Sequence, residues 1–369
     1  MKLLSQRQIT SAIKSFGHKR TIFVQGEKGI GKTAMHYNLQ RDPAFADFIF
    51  PAPMDATQMS DGSLWMPDLD REAGVSRELP NEALGLSKVN QRGIAGARPV
   101  FLTFDEVGKA PRYIKNYLAT LVNEHRIGGY YLPEGSIVLC LTNLSQEGLG
   151  DEMQAHFADR LIHMTMRKPT LDEWKEDFAV PRKLNEVVVA ACELFPSVFD
   201  SFLDYEPGGK FAGKDMAKCN YYVTNPRIAQ TKCTTPRSIH AASDVVNGAG
   251  SMDDDTLEAA LMGTVGDAFA KEIMTTLRFG RQLPDYERVI ADPEHTPVPK
   301  DPTPQIVQVF QFVSRAERAD VQPIVTYVQR MRSEMQGLFA TTVSKSGSAA
   351  MFATNKDFGG LMANQRNYF

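Results

Sequence analysis

The chain has 369 residues, of which 43% are hydrophobic, 9% aromatic and 23% charged; that balance excludes wholesale disorder and leaves ample material for a core. At roughly 100–200 residues per domain, two to three domains are expected. Lys+Arg 41 against Asp+Glu 44 leaves a net charge of −3, which argues against a dedicated polybasic binder of nucleic acid.

Short apolar runs alternate with helical patterns through the first 170 residues, the mark of an α/β fold with a parallel sheet. Thr21-Ile22-Phe23-Val24 reads as a buried strand, followed by a Gly-rich turn and a helix from about Lys32 to Gln40. Phe48-Ile49-Phe50 reads as a second short strand. Residues 55–97 are polar and rich in Gly and Pro, too long for a simple connection, and read as an insertion. Val100–Phe104 is the clearest strand, and Ile114, Tyr117, Leu118, Leu121 and Val122 then share one face of a helix. Arg126–Leu132 reads as a hairpin turning at Gly128-Gly129, and Ile137–Leu141 as another buried strand.

Beyond about Pro169 helical patterns take over: Leu184–Phe195, Pro236–Val246 and Thr256–Leu277. Asp253-Asp254-Asp255 places acids at a helix N-terminus, which suits a cap and not a metal site. Residues 283–304 carry six prolines and read as a linker or an extended strap. One helix is expected from Pro304 to Phe339. The tail from Thr341, small and polar with scattered Phe352, Phe358, Tyr368 and Phe369, is expected to be flexible or docked on a partner.

No apolar run reaches the roughly 18–20 residues that cross a bilayer. The start, Met1-Lys2-Leu3-Leu4-Ser5-Gln6-Arg7-Gln8, turns polar too soon for a signal peptide. Cys140, Cys192, Cys219 and Cys233 form no C-x-x-C pair, so neither a zinc site nor a disulfide framework is expected, and a cytoplasmic location fits.

Gly26-Glu27-Lys28-Gly29-Ile30-Gly31-Lys32-Thr33 fits G-x-x-x-x-G-K-[ST] at every fixed position, between a strand and a helix. Its glycines let backbone N–H groups approach phosphate oxygens, and the helix N-terminus adds positive partial charge. Lys32 is placed to reach β/γ-phosphates and Thr33 to offer its hydroxyl to Mg²⁺. Asp105-Glu106 ends an apolar strand; Asp105 suits the metal and Glu106 suits orienting and deprotonating water. Thr142-Asn143 ends the next buried strand, from which the Asn143 amide could contact the γ-phosphate or the water.

In this order, with Asp159-Arg160 and Pro236-Arg237 behind them, these motifs resemble the AAA+ ATPases and, more narrowly, the MoxR-type branch. Ala56-Thr57-Gln58-Met59 before Leu64-Trp65-Met66-Pro67, Gly128-Gly129-Tyr130-Tyr131-Leu132-Pro133, and Thr234-Thr235-Pro236-Arg237-Ser238 carry the branch resemblance, over about residues 3–280. It implies a P-loop αβα sandwich over residues 1–170 and a small helical lid over 171–280; a C-terminal extension over 281–369 follows that the family pattern does not account for. It implies an arginine finger at Arg160 acting on a neighbouring subunit, with Arg167 in reserve, and a second sensor at Arg237. The 55–97 insertion resembles the family's helix-2 insert, where Trp65, Met66 and Arg77 either meet a partner or pack locally.

The resemblance further implies ATP and Mg²⁺, a homo-oligomeric ring, most simply a hexamer, and remodelling of a partner protein that carries a von Willebrand factor A domain. Two other classes share the core. A nucleic-acid motor or loader would be expected to show a basic module, and a nucleotide-gated scaffold would turn over little. No G-x-S-x-G elbow or H-E-x-x-H helix is present.

Overall fold

In a computed structural model of the chain, residues 2–144, 158–207, 209–215, 222–223 and 232–365 are described. Cys219, Tyr368 and Phe369 lie outside them. The chain divides into two compact units, Met1–Lys168 and Pro169–Phe369.

The first unit is built on central strands whose two faces are both apolar. β1 (Leu3–Leu4) leads into α1 (Gln6–Phe16), capped reciprocally by Ser5 and Gln8. β2 (Ile22–Gly26) and α2 (Lys32–Gln40) follow, then β3 (Met54–Asp55) and an antiparallel hairpin of β4 (Trp65–Asp70) and β5 (Val75–Pro80). β6 (Phe101–Asp105), α3 (Arg112–Glu124), the small hairpin β7 (Arg126–Ile127) and β8 (Tyr130–Tyr131), β9 (Ile137–Asn143) and β10 (Ile162–Met166) complete it. The sheet order is β1-β10-β2-β9-β6-β3, and every pairing is parallel.

Alternation within the strands divides the core in two. Ile22 and Val24, Ile137, Leu139 and Leu141, and Phe101 face Ile9 and Ile13 of α1 and Met35 and Leu39 of α2. Phe23, Val138, Cys140, Leu102 and Phe104 face Ile114, Leu118, Leu121 and Val122 of α3. Burial on both sides explains why the strands read as continuous apolar runs. The result is a three-layer α/β sandwich of the P-loop type.

The second unit is helical: α4 (Leu171–Trp174) running into a π-helical turn at Lys175–Ala179, α5 (Glu186–Leu194), α6 (Pro236–Asn247), α7 (Asp254–Val265) and α8 (Asp267–Gly280). Then come α9 (Tyr286–Ala291), α10 (Pro302–Arg315), α11 (Val321–Val328), α12 (Ser333–Ser344), α13 (Ala349–Ala353) and α14 (Lys356–Gln365). α10 is buried nearly all round. Ile306, Val307 and Phe310 join the core of α5 to α8, while Val309, Phe312 and Val313 join that of α11 to α14.

The structure corrects four readings of the sequence. The strand expected at 48–50 is reduced to a bridge between Ile49 and Val100, and the paired edge strand is β3. The helix expected over 256–277 breaks at Gly266, whose φ of +88° would strain any other residue. The helix expected over 304–339 is three helices, α10 to α12. The tail expected to be flexible folds as α13 and α14, with Phe352, Phe358 and Leu361 buried against Phe339.

Within 283–304, α9 precedes an extended strap held by side chains. Tyr327 Oη donates to Pro297 O at 2.8 Å, Arg330 to Thr296 O at 2.8 Å and Gln305 Nε2 to Pro299 O at 2.6 Å. Asp253 caps α7 by accepting from Thr256 N at 2.8 Å, and among the described residues no group of His, Cys, Asp and Glu could hold a metal by itself. No helix of the described residues is long and apolar enough to cross a membrane.

Because Phe352 is fully buried among Phe339 and Phe358, Phe352→Ala should lower stability by about 3–5 kcal/mol. Denaturant unfolding followed by a probe in the second unit measures it; a loss under about 1 kcal/mol would detach the tail from that core.

Candidate active site

The site is assembled by strand register. β2 ends at Gly26 and lies beside β9, with Gly26 opposite Asn143. β9 in turn carries β6, with Cys140 opposite Phe104, so Asp105 and Glu106 emerge at the same sheet edge. In parallel sheets whose strand order reverses, this C-terminal edge is where ligands bind.

The loop from Gly26 to Gly31 turns through Gly29 and Gly31, with φ of +70° and +100°. Those angles release its backbone from the steric limits of a side chain. Gly31 is the N-cap of α2 and offers no capping side chain, so the first helical N–H groups point at the loop uncapped, the arrangement that receives an anion.

Lys32 is buried, and its ammonium donates to Gly26 O at 2.8 Å, Glu27 O at 2.7 Å and Asn143 Oδ1 at 2.8 Å. The Asn143 amide donates to Glu106 Oε1 at 2.7 Å. Thr33 Oγ1 donates to Asp105 Oδ2 at 2.5 Å. The structure thus brings Lys32, Thr33, Asp105, Glu106 and Asn143 to one place. The hydroxyl and carboxylate of Thr33 and Asp105 are hard oxygen donors. As only two protein ligands they suit Mg²⁺, which keeps several waters and takes phosphate oxygens.

The acidic pair is held by its own backbone. Glu106 N donates to Asp105 Oδ1 at 2.9 Å, and Glu106 adopts φ +55°, an uncommon conformation outside glycine. The turn behind it is fastened to β9 by Gly108 N donating to Thr142 Oγ1 at 3.2 Å, and a β-carbon at Gly108 would collide with that oxygen. Buried Lys115 donates to Gly108 O at 2.8 Å. Lys109, absent from the sequence reading, lies 3.0 Å from Glu106 Oε2; its spacing of three residues from Glu106 was the available signal.

One predicted residue of the first unit, Arg160, lies elsewhere. Arg160 is exposed and precedes β10 by two residues. Since Met166 is level with Gly26 and β10 runs back to Ile162, roughly 13 Å at about 3.3 Å per residue, Arg160 sits in the turn before the strand, at the opposite sheet edge. It cannot serve its own chain's loop. Arg237 is exposed in the first turn of α6, in the second unit. Arg167 follows β10 at the loop's edge and donates to Lys168 O at 3.1 Å.

In the insertion, Trp65 packs edge-on against Tyr117 with ring centroids 6.4 Å apart, Met66 is exposed, and Arg77 pairs with Asp70 at 2.8 Å. The Tyr131 ring lies under the guanidinium groups of Arg92 and Arg126, at 5.2 and 6.0 Å.

No family model matches the chain, and no curated protein matches it in sequence. Among solved structures, a point mutant of Thermotoga maritima RuvB is similar at TM-score 0.34 and 13% identity, covering 78% of this chain and 74% of its own. NtrX from Brucella abortus is similar at TM-score 0.33 and 13% identity, covering 92% and 68%. The S. cerevisiae Hsp104–ADP complex is similar at TM-score 0.33 and 12% identity, covering 98% of this chain and 48% of that one. At such scores these are resemblances only, and the site's chemistry stands on its own geometry.

Behind the loop, His36 Nδ1 meets Thr103 Oγ1 at 2.9 Å among the rings of Phe50 and Phe101. Burial lowers its pKa from 6.5 to about 4, so the ring is neutral at pH 7. The unfolded state binds the extra proton first, so stability present above pH 6.5 is lost as pH falls toward 4, by up to about 3 kcal/mol. His36→Gln should flatten that part of the acid slope in urea midpoints; parallel slopes for both proteins would refute it.

Proposed function

We propose that this chain is a Mg²⁺-dependent ATP hydrolase of the AAA+ kind, working as a ring and remodelling a partner protein. The observation that carries the reading is the convergence of the Gly26–Thr33 loop, Asp105, Glu106 and Asn143 at one sheet edge. A triphosphate would lie along the loop's N–H groups, with Lys32 on the β/γ-phosphates. Thr33 and Asp105 would hold the magnesium, which when bound neutralises phosphate charge. Glu106 would orient the attacking water and accept its proton. Asn143, reaching both Lys32 and Glu106, would report the γ-phosphate to the base.

Arg160 is proposed as a finger acting on a second copy, a role supported by its exposure and its place on the far edge of the sheet. Arg237 is proposed as the sensor of the helical unit. A hexameric ring, and a partner with a von Willebrand factor A domain, are the MoxR-type form of this reading; they follow from the motif resemblance.

Glu106→Gln should keep ATP binding and lose turnover about a hundredfold or more; hydrolysis at the wild-type rate would remove the base assignment. Arg160→Ala and Lys32→Ala should each be nearly inactive alone. Mixed in one assembly they should recover measurable turnover, since an intact loop then meets an intact finger. No recovery at any mixing ratio would count against action between copies.

A further inference from the structure

The carboxylate read as the water activator is engaged at both oxygens. Oε1 accepts from Asn143 Nδ2 at 2.7 Å. Oε2 is buried and accepts no directed hydrogen bond, yet it lies 3.0 Å from Lys109 Nζ. We propose that Lys109 is a positioning residue that restrains Glu106: the ion pair must open before Oε2 can take a proton from water. The inference rests on the reading of Glu106 as the base.

Backbone geometry delivers this lysine. Lys109 closes a single helical turn, Val107–Lys109, and its N–H donates to Glu106 O at 2.9 Å, which brings its side chain back over the glutamate. The turn cannot drift, because Gly108 is tied on one side to Thr142 and on the other to Lys115. The anchor is rigid and the clamp is not. The Lys109 and Glu106 side chains are 28% and 27% exposed, so the ammonium has solvent to withdraw into, and its withdrawal is what uncovers Oε2.

The division of labour between the oxygens follows. Oε1 is fixed by a directed bond and orients the carboxylate. Oε2 meets only a charge, so it is the atom a water can address once the ammonium withdraws. In hydrolysis the water oxygen bonds to the γ-phosphorus, the bond from that phosphorus to the bridging oxygen breaks, and Oε2 takes the water's proton. Accepting that proton neutralises the carboxylate and forfeits its attraction to Lys109. The lysine therefore opposes the step that the asparagine prepares.

The test uses the full chain. Lys109→Met should raise kcat roughly three- to tenfold, the rate equivalent of one partly exposed ion pair. KM and the Kd of a fluorescent ATP analogue should stay within about twofold. Lys109→Arg should keep the wild-type rate, since it restores the charge. A lysine that merely supported the turn would slow the enzyme when removed, so an equal or lower kcat in a folded Lys109→Met protein overturns the restraint. In a Glu106→Gln background Lys109→Met should change nothing; a rise there would place its effect elsewhere and overturn it as well.

A readout independent of turnover is the ¹⁵Nζ resonance of Lys109, which should move on Glu106→Gln; a stationary signal denies the pair. Full turnover by Glu106→Gln alone would remove the base reading and this proposal with it. Loss of turnover in Glu106→Gln without a rise in Lys109→Met would remove the restraint only.

Discussion

The hydrogen-bonded path from Lys32 through Asn143 to Glu106 is the interaction on which the site depends, and it exists only because three strands keep register. Asn143 is opposite Gly26, where the loop begins. Phe104 is opposite Cys140, which fixes how far along the edge the acidic pair emerges. A slip of one residue in either ladder would turn every side chain of that strand to the other face. Both faces are packed, with Val24 and Leu139 toward α1 and α2 and Phe104 and Cys140 toward α3, so such a slip would interchange two different cores. The packing that stabilises the sheet thus also sets the spacing of the polar groups at its edge.

Much of this was legible in the sequence because the relevant signals are local. The loop motif, the apolar run ending in Asp105-Glu106 and the run ending in Asn143 each combine a buried strand with a polar tip. A buried strand can expose its side chains only at its ends. What stayed hidden depends on distant chain. β10 is short and amphipathic, with exposed His163 between its less exposed neighbours, and it becomes a strand by pairing with β2 and β1. Lys109 is an ordinary surface lysine until Glu106 adopts its positive φ and the turn closes.

The second unit shows the opposite balance. Gly266 sits inside a helical pattern and its effect is conformational, not compositional, so the periodicity on either side reads as one helix. The tail is poor in apolar residues, yet those it has are used, Val343 among them. Phe352, Phe358 and Leu361 complete a cluster already built by Phe312, Tyr327 and Phe339. Composition judged the segment as though it had to make a core alone, while the cost of ordering it is offset by surface another segment had prepared. α10 makes this sharing explicit, since its two faces belong to two clusters and even its polar Gln308 is fully buried.

A parallel sheet has two chemically different edges, and in this chain the catalytic candidates are divided between them. All the strand C-termini deliver the loop, the carboxylates and the amide to one edge, whereas Arg160 precedes its strand and belongs to the other. Rotamer changes span a few ångströms, far short of the length of the intervening strand. On the proposed reading, an arginine finger from the first unit, added to Lys32, is therefore either Arg167 at the near edge or another copy's Arg160. Arg167 has its backbone tied to Leu4 and its guanidinium turned to Lys168 O. Arg160 is exposed to solvent, where a second copy could be met. The geometry of one strand thus converts a question of catalysis into a question of assembly.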